Sequence, residues 1–200
     1  MLQEPTAADA YRDCLAMSAA EPKRAEQLAS QWVREQDGGV PARHCLGLAQ
    51  LSGGDARAAS ATLSEAGRLA EAQGMAQASD LYRLAGEAAL EDGALAQAEE
   101  LAGQAITAAA RGTDRARAEA YLLRGLVRGT ANKIDGARAD LLVAVQTAPR
   151  LQPAWVLLAA AERRKDNLSG AENAIREALK LAPDDEAAQR EAALIAAAGE

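Results

Sequence analysis

The side chains best suited to chemistry in this 200-residue chain are two cysteines, Cys14 and Cys45, and a single histidine, His44. A thiol beside an imidazole suggests a nucleophile or a metal site. The spacing argues against both. Consecutive residues on a helix point about 100° apart, so His44 and Cys45 do not share a ligand point. Neither a CxxC nor an HExxH pattern is present, and Gly38-Gly39 and Gly53-Gly54 lack the GxxxxGK[ST] context of a phosphate loop. The acidic pairs Glu99-Glu100 and Asp184-Asp185 read as a solvated face and helix-start charges. The sequence therefore offers no catalytic residue, no metal ligand set and no cofactor site, and it points away from an enzyme.

What positions these residues is a period. Tyr121, Arg124, Gly125, Ala137, Leu141, Ala144 and Pro149 recur 34 residues later as Trp155, Leu158, Ala159, Ala171, Ile175, Ala178 and Pro183. The same internal spacing fits Tyr82, Ala85, Gly86, Ala98, Ala102 and Ala105, and again Arg43, Leu46, Gly47, Ala59, Leu63 and Ala66, each 39 residues before its successor. A degraded copy holds Asp9, Arg12, Asp13, Ala25, Ala29 and Trp32. A fixed period near 34 signals stacked helix pairs. The expected organisation is a single domain over 1–200, with units at 6–39, 40–76, 79–115, 118–151 and 152–185 and a capping helix at 184–199. That makes eleven helices. The five extra residues of the 39-residue units are expected to lengthen their second helices.

Local signals agree. Pro149 and Pro183 end second helices, because proline cannot continue a helix and disfavours it one residue earlier. Turns inside the units fall at Gly53-Gly54-Asp55, Glu91-Asp92-Gly93, Asn132-Lys133 and Lys165-Asp166-Asn167. Gly47, Gly86 and Gly125 lie mid-helix at a cost of about 1 kcal/mol relative to Ala, which close approach to small Ala59, Ala98 and Ala137 would offset. The chain has two Trp, three Tyr and no Phe. Such a composition suits thin Ala and Leu layers between helices. No run of 18 apolar residues exists, so no membrane insertion is expected.

This pattern resembles the tetratricopeptide repeat family across nearly the whole chain, best in the fifth unit with Trp155, Leu158, Ala159, Ala171, Ala178 and Pro183. Arg124 and Arg128 depart from it, standing where Leu and Tyr are usual. The resemblance implies an all-α, right-handed solenoid of five helix pairs plus a cap. It also implies a groove lined by the first helix of each pair. Carried over, the groove residues are His44, Leu48, Leu51, Arg83, Glu87, Leu122, Leu126, Val156 and Arg163. Some family members hold a C-terminal carboxylate with Lys and Asn at the fifth and ninth positions. Here those positions read Ala10/Cys14, His44/Leu48, Arg83/Glu87, Leu122/Leu126 and Val156/Ala160, so that clamp is absent.

The implied function is binding an extended peptide or a helical segment of a partner protein, as a monomer or weak homodimer. A self-assembling structural scaffold is the alternative. The net charge of −7 disfavours nucleic acid. Residues 118–182 nevertheless carry ten basic against seven acidic side chains. Arg124, Arg128, Arg163, Arg164 and Lys165 are either solvated helix faces or a basic corner for an acidic partner. Trp155 is expected between its own two helices; Trp32 either covers the open end of the stack or is an exposed contact.

Cys14 and Cys45 fall on neighbouring first helices, where they are either bridged or two buried free thiols. A bridge implies an oxidising compartment, and the segments around both cysteines resemble exported bacterial repeat proteins. Both tilt localisation toward the periplasm over the cytoplasm. Residues 1–9 show no basic start followed by an apolar stretch, so an exported form would be the mature one.

Overall fold

The computed structural model describes residues 6–35 and 38–199. Eleven α-helices and no strand occur among them. The helices are α1 (Ala7–Ala20), α2 (Pro22–Glu35), α3 (Gly39–Ser52), α4 (Ala56–Ala72), α5 (Ala78–Glu91), α6 (Leu95–Ala108), α7 (Asp114–Thr130), α8 (Ile134–Thr147), α9 (Gln152–Arg163), α10 (Leu168–Leu181) and α11 (Glu186–Ala198). They form five antiparallel pairs and a final helix, as the period predicts. The contacts divide the chain into two compact units, one through Arg111 and one from Gly112.

Helix starts are set by short polar side chains. Thr6, Asp55, Thr113, Asn167 and Asp185 each accept a hydrogen bond from a backbone N–H in the first turn of α1, α4, α7, α10 and α11. Helices α8 and α10 stop two residues before Pro149 and Pro183. The turn within a pair is made the same way in four pairs. Gly54, Gly93, Asn132 and Asp166 all adopt positive φ, at 85°, 77°, 60° and 58°, and they are separated by the repeat lengths 39, 39 and 34. A left-handed residue there reverses the chain, and Gly, Asn and Asp are the types that tolerate it best.

The extra residues of the long units are not treated alike. In the second pair they do lengthen α4, which has 17 residues. In the third pair α6 stays at 14 residues. The surplus there becomes a 3-10 turn, Ala109–Arg111, and a 17-residue α7. Thr113 explains the difference: as an N-cap it starts the next helix early.

The cores are thin and aliphatic. In the first unit Tyr82 is buried, and its hydroxyl donates to Glu71 at 2.8 Å. Burial, then that carboxylate, push its pKa up to about 12. In the second unit Leu141, Val145, Leu158, Ile175 and Ile195 form one cluster. Trp155 packs at its edge and donates its indole N–H to Pro149 O. Gly47 and Gly125 permit close approach, but the incoming residue is larger than alanine. A Cβ at 47 would stand 2.5 Å from Leu63 Cγ, and one at 125 would stand 2.7 Å from Leu141 Cγ.

Candidate functional site

In the second unit the candidate groove residues of α7 and α9 are partly apolar and partly open. Leu126 is 36% exposed, while Leu122 and Val156 are half-buried against the unit's core. Leu126 lines a cavity of about 220 Å³ between α7, α8 and α9. Ile134, Ala137 and Leu141 form its α8 wall, and the small residues Gly129 and Ala160 also line it.

The charged groups nearby are largely spoken for. Arg163 pairs within the unit; its Nε and Nη2 donate to the Glu191 carboxylate on α11 at 2.7 and 3.2 Å. The bond to Glu191 holds the Arg163 guanidinium pKa above its ordinary value. Arg124 and Arg128 both donate to Asp140, and Arg124 also stacks 5.5 Å from the Tyr121 ring centre. Lys165 pairs with Asp135. Carboxylates of α8 and α11 fold back onto Arg124, Arg128, Arg163 and Lys165, which favours the paired, solvated faces over a basic corner. Arg164 differs. Its two bonds go to neutral acceptors, Gly129 O at 2.9 Å and Asn132 Oδ1 at 2.7 Å.

In the first unit Leu48 and Leu51 are half-buried along α3. Arg83 and Glu87, one turn apart on α5, pair with each other at 2.6 Å. His44 lies against Tyr11 of α1, with Tyr11 Oη 2.5 Å from His44 Nδ1. Burial lowers the His44 pKa, and the nearby Asp80 charge acts in the opposite direction. This contact escaped the sequence reading, although the two residues are separated by 33 positions, close to one repeat.

Beside that contact the structure joins Cys14 and Cys45 as a disulfide, with Cα atoms 6.1 Å apart. The pair links α1 to α3 and is nearly inaccessible, Cys14 at 8% and Cys45 at 0% exposure. Trp32 is partly buried next to it, lining a surface pocket with Cys14 and Met17. Among the described residues no group of three or more His, Cys, Asp and Glu is placed to hold a metal ion. No described helix is long and apolar enough to cross a membrane.

These features define an all-α chain of tetratricopeptide-type helix pairs. Solved structures carry the same fold. The chain is similar to MamA from Desulfovibrio magneticus RS-1, with TM-score 0.68 and 20% identity, covering 89% of this chain and 98% of that one. It is similar to YrrB, described as a TPR protein with an unusual peptide-binding site, with TM-score 0.67 and 16% identity over 94% and 92% of the two chains. Pseudomonas aeruginosa PilF gives TM-score 0.74 at 11% identity, over 96% and 85%. At these identities the likeness establishes the fold. No protein-family model matches the sequence, and no curated protein is similar to it by sequence.

Proposed function

We propose that this protein is a non-enzymatic interaction module that holds an extended or helical segment of a partner protein against the first helices of its pairs. The observation that carries this reading is Leu126. It is a large apolar side chain, 36% exposed, beside an open apolar cavity, with Leu122 one helical turn before it on α7. An apolar patch left open to water marks a contact surface, and bulky anchors seated in pockets supply most of the energy of such contacts. The peptide-binding site named for YrrB is consistent with this reading. The test is Leu126→Glu. The expected outcome is lost partner binding with the melting temperature held within a few degrees. Unfolding, or unchanged affinity for a verified partner, would mean that Leu126 is merely core.

The scaffold reading has its own support at the other end of the second unit. Leu181 and Leu194 are exposed there on α10 and α11. Light scattering at several concentrations separates the two: a mass that rises with concentration and falls back in Leu194→Glu favours self-assembly.

A further inference from the structure

The cavity beside Leu126 has a chemical signature more specific than an apolar groove. Its volume of about 220 Å³ exceeds the ~150 Å³ that suffices to hold benzene in an apolar protein cavity, so it accommodates a branched aliphatic or aromatic side chain. Its walls are Leu126, Ile134, Ala137, Leu141 and Leu157, and Arg164 stands at its rim.

Arg164 is set apart by what it lacks. The guanidinium groups of α7 and α9, on Arg115, Arg117, Arg124, Arg128 and Arg163, each pair with a carboxylate, whereas Arg164 is the C-cap of α9. Among the described residues Arg164 bonds to Gly129 O and Asn132 Oδ1 and to no carboxylate, so none of them neutralises its charge. A guanidinium has five N–H donors, and these two bonds leave donors free while fixing the group in place. The side chain is solvent-exposed. A fixed, uncompensated cation at the lip of an apolar cavity complements one kind of occupant: a bulky apolar side chain with a carboxylate next to it.

We propose that this cavity is a binding subsite for an extended partner segment in which a bulky apolar residue is followed by Asp or Glu, the apolar side chain filling the cavity and the side-chain carboxylate pairing with Arg164. The subsite deepens the groove reading and rests on it. Specificity comes from the carboxylate, because the cavity alone distinguishes apolar side chains weakly.

The test uses the full chain, isotope-labelled for amide NMR, titrated with acetyl-Leu-Glu-amide and acetyl-Leu-Gln-amide. Both ends are blocked, so only the side-chain carboxylate differs. Shifts are expected at Gly125, Gly129, Thr130 and Ala161, with the Glu peptide binding several-fold more tightly. Arg164→Gln should make the two peptides equal. Gly129→Leu should fill the cavity and abolish both. A Cβ at 129 meets only Ala137 Cβ, at 3.9 Å, so a side chain can start there without displacing a neighbour, and a thermal melt of the variant checks that it remains folded. Equal affinity of the two peptides for the wild-type chain, binding that survives Gly129→Leu, or no shifts at all would overturn the subsite. So would tighter binding of the same dipeptide with a free C-terminus in place of its acidic side chain, which assigns Arg164 to a terminal carboxylate instead. Shifts confined to Leu122 and Val156 would overturn the subsite yet leave the groove reading standing. Verified partner binding without a shift on α7 or α9 would sink both.

Discussion

Arg124 of α7 grips Asp140 of α8 with two bonds, Nη2 to Oδ1 at 2.7 Å and Nε to Oδ2 at 2.9 Å. Arg128, one turn along, donates to the same carboxylate at 2.8 Å. These two arginines are the departures from the repeat pattern in the fourth unit, and the structure shows why they occur together. Asp140 is 3% exposed, and a buried carboxylate persists only when it is paired. The pair of arginines replaces an apolar and an aromatic side chain by a charge-neutralising clamp between the two helices.

Removing the shared carboxylate should therefore cost more than removing a surface one. Breaking a buried pair costs about 3–5 kcal/mol. Both arginines keep some access to water, so we expect about 2–3 kcal/mol for Asp140→Ala, discounted for that solvent screening. Asp135→Ala, which removes the exposed partner of Lys165, should leave the urea midpoint unchanged. Equal effects of the two variants would show that the clamp is no stronger than a surface ion pair.

The mid-helix glycines divide into two kinds. At Gly125 an added Cβ would lie 2.7 Å from Leu141 Cγ and 3.4 Å from Ala137 O. At Gly103 in α6 no atom lies within 4 Å of it. Alanine at a helix-interior glycine gains about 1 kcal/mol of propensity, while overpacking a core costs about 1–3 kcal/mol. Gly103→Ala should stabilise the protein by up to about 1 kcal/mol. Gly125→Ala should destabilise it by about 1–2 kcal/mol, net of both terms. Chemical denaturation of both variants checks the signs. A stabilising Gly125→Ala would show that Leu141 has room to move aside.

The repeat architecture was legible because it is written in spacing. The small residues, the prolines before which α8 and α10 end and the four left-handed turn positions all keep one register. The path of the five extra residues was less legible. It depends on whether Thr113 caps a helix, which the period does not encode. The partners of the arginines were not legible at all. A guanidinium at a groove position can turn to a ligand or to its own protein, and Glu191 settles that for Arg163 through a fold-dependent contact 28 residues away. The cavity beside Leu126 was half legible. Leu126 was marked by its position, but Arg164 stood out only after the carboxylates around the other arginines were in place.

The disulfide yields a direct chemical prediction. Cys14 and Cys45 close a loop with a sequence separation of 31, for which the chain-entropy model gives roughly 3–4 kcal/mol. Denatured, unreduced protein should show no titratable thiol, and reduction should lower the melting temperature of the first unit. Cys14→Ser should match the reduced protein. Two titratable thiols in freshly purified, air-exposed protein would reject the bridge and remove the physical reason for placing the protein in an oxidising compartment.

The same corner of the first unit should respond to acid through His44. The imidazole is held between α1 and α3 by its contact with the Tyr11 hydroxyl. Burial lowers its pKa in the folded state, with Asp80 only partly opposing. In the unfolded chain a histidine titrates near ~6.5. As pH falls below about 6.5, the unfolded chain takes up a proton that the folded one resists, so folding is disfavoured. The contribution of neutral His44 is fully present above that pH. It shrinks as pH falls through the interval down to the lowered folded pKa. Thermal melts of the wild-type chain and His44→Gln at pH 7.5 and 5.5, at one ionic strength, measure this directly. The wild-type chain should lose more stability on acidification than the variant, narrowing the gap between them. A gap of the same size at both pH values would mean that His44 is protonated as readily in the folded chain as in the unfolded one.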